Sequence, residues 1–234
     1  MTGQPTEEIR QKQLFFDQFC AAWSSEYRQR GGTLYCGRGC SGCCSLVVNS
    51  TFPEAALVAA SLTKEQITDL YNRIPRIQAT AKSADSLKEW LSGYREQSGP
   101  CPFLAETGAC SIYQNRPLSC RSLLSTKEPL WCSTDFSALS GQEKQVFMES
   151  LDRSAVAFPT HYAATPQEIG RELEEAILRQ METVYNFSIV GSFLWLVWLE
   201  LEHSLSTRLS DGSEAVQDYL SSQDLHNRFL VVIS

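Results

Sequence analysis

The residues with the clearest capacity for chemistry are thiols that crowd into a short, glycine-rich stretch. Three, two and no residues separate the successive cysteines of this first group: Cys36, Cys40, Cys43 and Cys44. Short spacings let successive thiolates converge on one centre, as they do in zinc and iron-sulfur proteins. The glycines between them leave the backbone free to curl. The stretch therefore predicts a metal site.

A second, looser group of cysteines follows in the chain: Cys101, Cys110, Cys120 and Cys132. Neither group contains a histidine. His161, His203 and His226 all come later, and we interpret them as ordinary core or surface histidines. A donor set made only of sulfur selects zinc or iron-sulfur and argues against magnesium and calcium, but it does not separate zinc from iron. Eight thiols could form two four-thiolate sites, or one cluster and a structural zinc site.

The ninth cysteine and the N-terminus bear on how the thiols are used. Cys20 lies on the apolar stripe of a predicted helix, so we interpret it as a small hydrophobic residue and exclude it from the site. Residues 1–10 show no cationic start followed by an apolar run, which favours a cytoplasmic protein. In a reducing compartment, clustered cysteines more often bind metal than form disulfides.

Charge is distributed unevenly along the chain. The net charge is −7, and residues 133–234 carry 6 Lys and Arg against 15 Asp and Glu. Phosphate backbones would repel such an acidic tail, so the composition argues against a nucleic-acid partner. The acidic C-terminal helices are instead the part of the chain expected to offer a surface to a protein partner.

Helical and extended segments lead into the first cysteine group and away from it. Residues 6–30 have the apolar periodicity of an amphipathic helix, and Gly31 and Gly32 are expected to end it. Residues 33–35 could form a short strand before the cysteines. After them, the β-branched and apolar residues 45–50 predict a strand or an extended segment.

Between the two cysteine groups the pattern is helical. Thr51 with Glu54, and Thr63 with Gln66, have the spacing of helix N-terminal capping boxes. Pro75 is expected to kink or end the second of these helices. A further helix carries Leu87, Trp90, Leu91 and Tyr94 and should end near the Gly99-Pro100 pair.

The C-terminal part is predicted to be helical from about residue 141, with one long helical segment over residues 166–209. Within it, residues 187–199 are strongly apolar. This run is shorter than the roughly 20 residues that a membrane span needs, so we predict a buried core helix and no membrane span. Docking to a membrane surface or to a partner is the alternative.

These elements predict a mainly α fold with few short strands. An N-terminal helix (residues 1–32) precedes an irregular, metal-stapled cysteine-rich domain (residues 33–132). An acidic helical C-terminal region (residues 133–234) is expected to pack on that domain. Proline and glycine punctuate the second cysteine group, so metal ligation is expected to hold backbone there that secondary structure does not.

The cysteine pattern is similar to two known patterns. The spacing from Cys36 to Cys43 resembles that with which radical S-adenosylmethionine enzymes hold a [4Fe-4S] cluster, but Gly42 stands where those enzymes usually have an aromatic residue. A longer resemblance joins the Cys43-Cys44 pair to the strings CPFL (101–104) and GACSIYQNRPLSCR (108–121). That ordered pattern resembles the YkgJ family of cysteine-cluster proteins, described as zinc- or iron-chelating, and covers roughly residues 34–132.

The resemblance implies a set of metal ligands in this chain: Cys36, Cys40, Cys43, Cys44, Cys101, Cys110 and Cys120, with Cys132 as the expected eighth. Arg116 and Arg121 flank Cys120 and are expected to offset thiolate charge or to donate hydrogen bonds to sulfur around the bound cofactor. No residue is singled out as catalytic.

The leading hypothesis is a metal-binding protein that holds an iron-sulfur cluster, zinc, or both through an all-cysteine site, for redox or cofactor chemistry. The Cys36 to Cys43 spacing and a distant relative, the flagellin lysine N-methylase, both favour a [4Fe-4S] cluster. The same relative suggests an alternative, an S-adenosylmethionine-dependent methyltransferase. However, the chain has no glycine-rich strand-to-helix turn of the kind that cradles such a cofactor. A zinc-stapled protein-interaction module is the third hypothesis.

Overall fold

The computed structural model describes residues 4–37 and 39–234. It shows a mainly helical protein with a small antiparallel sheet, as the sequence predicts. The helices are, in chain order, α1 (Gln4–Gln29), α2 (Phe52–Ala59), α3 (Lys64–Ser83), α4 (Leu87–Gly93), α5 (Leu118–Ser122), α6 (Pro129–Ser133), α7 (Gly141–Glu149), α8 (Ala164–Tyr185), α9 (Phe193–His203) and α10 (Ser213–Ser222). The strands are β1 (Asn49–Thr51), β2 (Ile189–Ser192) and β3 (Val231–Ile233).

The sheet connects distant parts of the chain. Its order is β1-β2-β3 and both pairings are antiparallel. Ser50 of β1 lies opposite Gly191 of β2, and Val190 of β2 lies opposite Val232 of β3. The strand β1 comes from the predicted cysteine domain, whereas β2 and β3 come from the predicted C-terminal region, so the sheet ties these two segments together. The boundaries at residues 32 and 132 stay a prediction.

The main hydrophobic core forms around α9. Trp195, Leu196 and Val197 are fully buried there, and α9 packs against α2 and α3. This confirms the interpretation of the apolar run as a core helix for residues 193–199, whereas residues 189–192 of the run form the strand β2. A second apolar cluster joins α1 to α8 through Phe16 and Ile177, and a small third cluster lies apart from both around α7 (Phe147, Leu151 and Val156).

Helix starts followed the local sequence closely. Thr63 and Gln66 form a capping box at the start of α3, and the side chain of Thr51 accepts a hydrogen bond from the backbone N–H of Glu54 at the start of α2. The α4 helix continues as a single wide turn to Ser98, directly before Gly99, as expected. At the starts of α2 and α3, the capping threonine satisfies a backbone N–H that the helix itself leaves unpaired.

Other predictions of local structure were wrong. Residues 33–35 form no strand, because a single hydrogen bond from the N–H of Tyr35 to the carbonyl of Ser125 makes no ladder. Of the two effects predicted for Pro75, a kink or an end, the end is wrong, because α3 continues to Ser83. Burial of the flanking Ile74 and Ile77 in the core stabilises the helix despite the hydrogen bond that proline cannot donate.

The predicted helical segment 166–209 is also interrupted. Asn186 takes a left-handed conformation (φ 64°) and ends α8. The β-branched residues Ile189 and Val190 then pair on both sides as the central strand. A short apolar run does not by itself distinguish a buried strand from a helix, so the pairing partners decide. Within the described residues, no helix combines the length and the apolar composition needed to cross a membrane.

Gly191 is expected to be irreplaceable at the centre of the sheet. A Cβ atom added there would lie 2.2 Å from the carbonyl oxygen of Leu230, which is backbone and cannot rotate away. We expect Gly191→Ala to destabilise the protein by about 1–3 kcal/mol, which lowers the thermal midpoint by roughly 2–12 °C. Gly141→Ala is the control, since a Cβ atom at Gly141 meets nothing within 4 Å. Equal midpoints for the two variants would contradict the expected clash.

Candidate metal centre

Seven of the eight candidate cysteines line one cavity of about 590 Å³. They come from four separate stretches of chain: Cys36 and Cys40, Cys43 and Cys44, Cys101 and Cys110, and Cys120. Apolar side chains complete the wall, among them Ile112 from the cysteine region and Phe193 and Leu194 from α9. The fold thus brings together thiols that lie up to 84 residues apart in the sequence.

A tight turn presents the two adjacent cysteines. Residues 42–45 form one turn of 3₁₀ helix that contains Cys43 and Cys44. This turn packs on α6 so closely that a Cβ atom at Gly42 would lie 2.5 Å from the carbonyl oxygen of Pro129. The carbonyl oxygen of Cys44 accepts a 2.8 Å hydrogen bond from the N–H of Cys101, which attaches the second cysteine group to the first.

A short hairpin-like loop places Cys101 and Cys110 side by side. Leu104 and Cys110 form an isolated antiparallel bridge, and the loop between them turns at Gly108, which has a φ of 77°. A Cβ atom at Gly108 would also lie 3.0 Å from the carbonyl oxygen of Gly39. Glycine therefore serves two needs at position 108, a left-handed turn and close contact with the first cysteine loop.

Cys120 lies on the short helix α5, and Arg121 fixes the loop in front of that helix. The Arg121 side chain is only 2% exposed. It donates hydrogen bonds to the carbonyl oxygens of Arg116 (2.8 Å) and Gln114 (2.6 Å) and forms an ion pair with Asp17 of α1. Its charge is thus already paired, so Arg121 positions the loop that carries Arg116.

Two carboxyl side chains hold the residues just before Cys120. Glu54, fully buried on α2, accepts a 2.8 Å hydrogen bond from the N–H of Leu118. The hydroxyl of Ser119 lies within hydrogen-bonding distance of both the Asn49 carbonyl oxygen and the Glu174 carboxyl group. A hydroxyl has one proton to donate and a carbonyl oxygen can only accept. Both bonds can therefore form only when Glu174 is protonated and donates to Ser119.

Burial, with the nearby charge of Glu54, raises the pKa of Glu174 to about 7. Because the folded protein binds this proton more tightly than the unfolded chain, the contribution to stability is complete below about pH 4.5 and is lost as the pH rises through 7. We expect Glu174→Gln, which keeps the donor to Ser119 at all pH values, to match the wild type at pH 5. At pH 8 the variant should be more stable by about 1–3 kcal/mol.

This difference is measured as the thermal midpoint of each metal-loaded protein at a series of pH values. Glu172→Gln is the control, because Glu172 is an exposed carboxylate on the same helix. It should follow the wild type throughout. A Glu174→Gln midpoint that differs from the wild type by the same amount at pH 5 and at pH 8 would contradict protonation of Glu174.

Arg116 is the cationic side chain on the cavity wall that lacks a carboxylate partner in the described part of the chain. Its guanidinium lies 3.9 Å from the ring centroid of Tyr113, and its Nε atom is buried without a hydrogen-bond partner. The positive charge lowers the pKa of the Cys43, Cys110 and Cys120 thiols and so partly opposes the effect of burial. Arg116 can therefore offset negative charge inside the cavity.

Cys132 is the one candidate ligand that is not among the residues lining the cavity. Its Sγ atom lies 3.4 Å from Nε2 of His161, and both side chains are 4% exposed. His161 was interpreted from the sequence as an ordinary histidine. The structure places His161 in the core, which is one of the two positions, core or surface, expected for an ordinary histidine. Its Nε2 atom, however, lies beside the candidate ligand Cys132.

The chemistry of the cavity suits a thiophilic metal. Burial raises the pKa of Cys101 to about 12 and that of Cys36 to about 11, so without a metal these thiols hold their protons. A bound metal stabilises the thiolate instead, and binding would release protons. Among the described residues, no three cysteine, histidine or carboxylate side chains are already arranged to hold a single ion. The thiols surround a space larger than one ion.

Some residues at the site could not be recognised from the sequence. Tyr94 lines the cavity, and burial together with Cys101 and Cys120 raises its pKa, but in the sequence it shows only helical periodicity. One feature of the sequence pointed to a special role for Glu54: it is a carboxylate within the otherwise apolar stretch FPEAALVA. A charge that the fold must bury needs partners, and Leu118 supplies one of them.

Residues 35–144 match the family CxxCxxCC, described as "Putative zinc- or iron-chelating domain". The match includes all eight candidate cysteines and both candidate arginines, and it agrees with the resemblance drawn over residues 34–132. No curated protein and no solved structure matches the chain, so these comparisons lend no support to the likeness to the flagellin lysine N-methylase. Over residues 35–144, which are 110 of its 234 residues, this chain is thus similar to the CxxCxxCC family.

Proposed function

We propose that this protein holds an iron-sulfur cluster of the [4Fe-4S] type in the thiol-lined cavity and uses it in redox or cofactor chemistry. The observation that carries the proposal is the presence of seven cysteines on the wall of one cavity of about 590 Å³. The family description supports a zinc or iron ligand. The choice of a cluster rests on the shape and the charge of the cavity.

The spread of the thiols favours a cluster over a single ion. A tetrahedral zinc ion with 2.3 Å bonds to sulfur holds its thiolates about 3.8 Å apart. In a cubic cluster each thiolate binds a different iron, so the thiolates lie farther from one another. The seven thiols surround a cavity of about 590 Å³, a volume that a group of several iron and sulfide ions can occupy.

The charge on the wall also suits a cluster. Four thiolates give such a cofactor a net negative charge, and the guanidinium of Arg116 has no carboxylate partner in the described structure. A cation beside a cluster stabilises the reduced form and raises the reduction potential. Tyr113 holds the guanidinium in place by a cation-π contact, and Arg121 fixes the backbone on which Arg116 lies.

The apolar part of the wall excludes water. Phe193 and Leu194 at the start of α9 are 4% and 5% exposed and line the cavity. Burial of this kind protects a cluster from solvent and tunes its potential. The core helix of the C-terminal region therefore closes the site that the cysteine region builds.

The test is chemical analysis of the protein purified without oxygen. Iron, zinc and acid-labile sulfide are measured together with the visible absorption spectrum, and a reductive titration follows. We expect iron and sulfide in similar amounts, a broad visible absorption, and bleaching on reduction. A colourless protein with zinc, without sulfide and without a redox signal would overturn the proposal and favour the zinc-stapled module.

A further inference from the structure

A second group of metal-binding side chains lies behind the cavity wall. It contains Cys132 on α6 and His161, which lies between α7 and α8, 17 residues beyond the part of the chain that matches the family. We propose that Cys132 and His161 are two ligands of a separate zinc site, which Cys36 and one of the neighbouring thiols of Cys40 and Cys43 complete. This site goes beyond the proposed cluster and has a mixed sulfur and nitrogen donor set.

The separation of the two buried ligand atoms fits one ion. Tetrahedral zinc with a 2.3 Å bond to sulfur and a 2.0–2.1 Å bond to nitrogen holds these two atoms about 3.6 Å apart. The observed distance from Sγ of Cys132 to Nε2 of His161 is 3.4 Å. The two atoms are therefore already at about the separation that one zinc ion requires.

Cys36 contacts Ser125, and Ser125 in turn lies near Cys132. The N–H of Ser125 donates a 3.1 Å hydrogen bond to Sγ of Cys36, and the N–H of Tyr35 donates to the carbonyl oxygen of Ser125. Burial is the main cause of the raised pKa of Cys36 and of Cys132. The thiols of Cys40 and Cys43 add to the rise in both pKa values, and Cys132 adds to that of Cys36. These thiols are thus near one another, and metal binding need only draw them the remaining distance.

The imidazole of His161 is held rigidly. The N–H and the hydroxyl of Thr126 both donate 3.0 Å hydrogen bonds to the carbonyl oxygen of His161. The ring packs edge to face on Phe147 (centroids 5.8 Å apart) and against Tyr162 (4.2 Å). A metal ligand whose position is fixed by its neighbours loses little conformational entropy on binding.

The surroundings of Cys132 are polar, as those of a thiolate ligand should be. The side chains of Tyr162 and Ser125 lie near its sulfur and act against the rise in the pKa of Cys132 that burial causes. Cys20 provides the contrast, since it is buried within the apolar cluster of α1 and α8. Hydrogen bonds to a ligating sulfur are the usual support of a structural zinc site.

Such a site would have a structural role. The apolar cluster around α7 is small and separate from the main core, so it contributes little to holding α6, α7 and the following segment on the rest of the protein. A zinc ion bound by Cys36, Cys132 and His161 would cross-link that segment to the first cysteine loop. Structural zinc sites stabilise a fold in this way where the hydrophobic core is insufficient.

The test is zinc analysis and zinc X-ray absorption on the full chain, purified without oxygen and supplied with zinc. We expect one molar equivalent of zinc per chain, with nitrogen at about 2.0–2.1 Å and sulfur at about 2.3 Å in its shell. His161→Cys should keep the zinc and lose the nitrogen signal. His161→Ala should lose the zinc and keep the iron and sulfide, whereas His203→Ala, which removes a partly buried imidazole elsewhere, should change neither.

A zinc shell without nitrogen in the wild type, the absence of zinc from zinc-supplied protein, or an unchanged shell in His161→Cys would each overturn the site. His161→Cys decides the question even if His161→Ala fails to fold. Cys110→Ala separates this inference from the proposed cluster, because it should remove the iron and leave the zinc with its nitrogen ligand.

Discussion

Replacing Cys120 by alanine is expected to remove the metal from the cavity. Cys120 is the thiol that α5 contributes, and its surroundings are built around it: Leu118 is bonded to Glu54, and Arg121 ties α5 to α1. Burial raises the pKa of the Cys120 thiol well above its usual value, so without metal it is a neutral thiol. We expect iron to fall about tenfold or more, measured as iron and sulfide per chain after anaerobic purification.

The matched control is Cys20→Ala, which makes the same chemical change at a buried cysteine outside the cavity. Both variants remove one sulfur atom from the protein interior, so they share the cost of a small packing defect. Only Cys120→Ala should lose metal, and it should also lose thermal stability beyond the control, because metal binding contributes to folding. Equal metal content in the two variants would remove Cys120 from the ligand set.

The parts of this protein that sequence reasoning predicted are those determined by local interactions. Helix starts at Thr51 and Thr63 depend on side chains three residues away. The cavity cysteines were recognised by spacing and by a long ordered pattern, and seven of the eight do share one cavity.

The parts that could not be predicted depend on contacts between distant residues. The strand β2 exists because β1 and β3 pair with it: Val190 lies opposite Thr51 and Val232, which are 139 and 42 residues away in the sequence. The contact of Cys132 with His161 spans 29 residues. Neither has a signal in its own neighbourhood, since a short apolar run fits a helix as well as a strand and a lone histidine is ordinarily a core or surface residue.

Glu54→Ala is expected to be among the most destabilising single changes in the chain. The Glu54 carboxyl group is fully buried and accepts hydrogen bonds from the Leu118 N–H (2.8 Å), the Thr51 hydroxyl (3.0 Å) and the Gln13 amide (3.4 Å). Alanine would leave these three donors without a partner, at about 1–3 kcal/mol for a buried unsatisfied group, and would also open a cavity. We expect a total loss of about 3–5 kcal/mol, measured by thermal unfolding of the metal-loaded protein.

The comparison with Glu54→Gln separates hydrogen bonding from charge. Burial raises the pKa of Glu54 despite its donors, so a neutral amide of the same shape should replace it at small cost, with Oε1 still accepting from Leu118 and Nε2 donating to Thr51. Because Leu118 lies two residues before Cys120, Glu54→Ala should also lose metal, whereas Glu54→Gln should retain it. If Glu54→Gln is as unstable and as depleted of metal as Glu54→Ala, the ionised carboxylate itself holds α5.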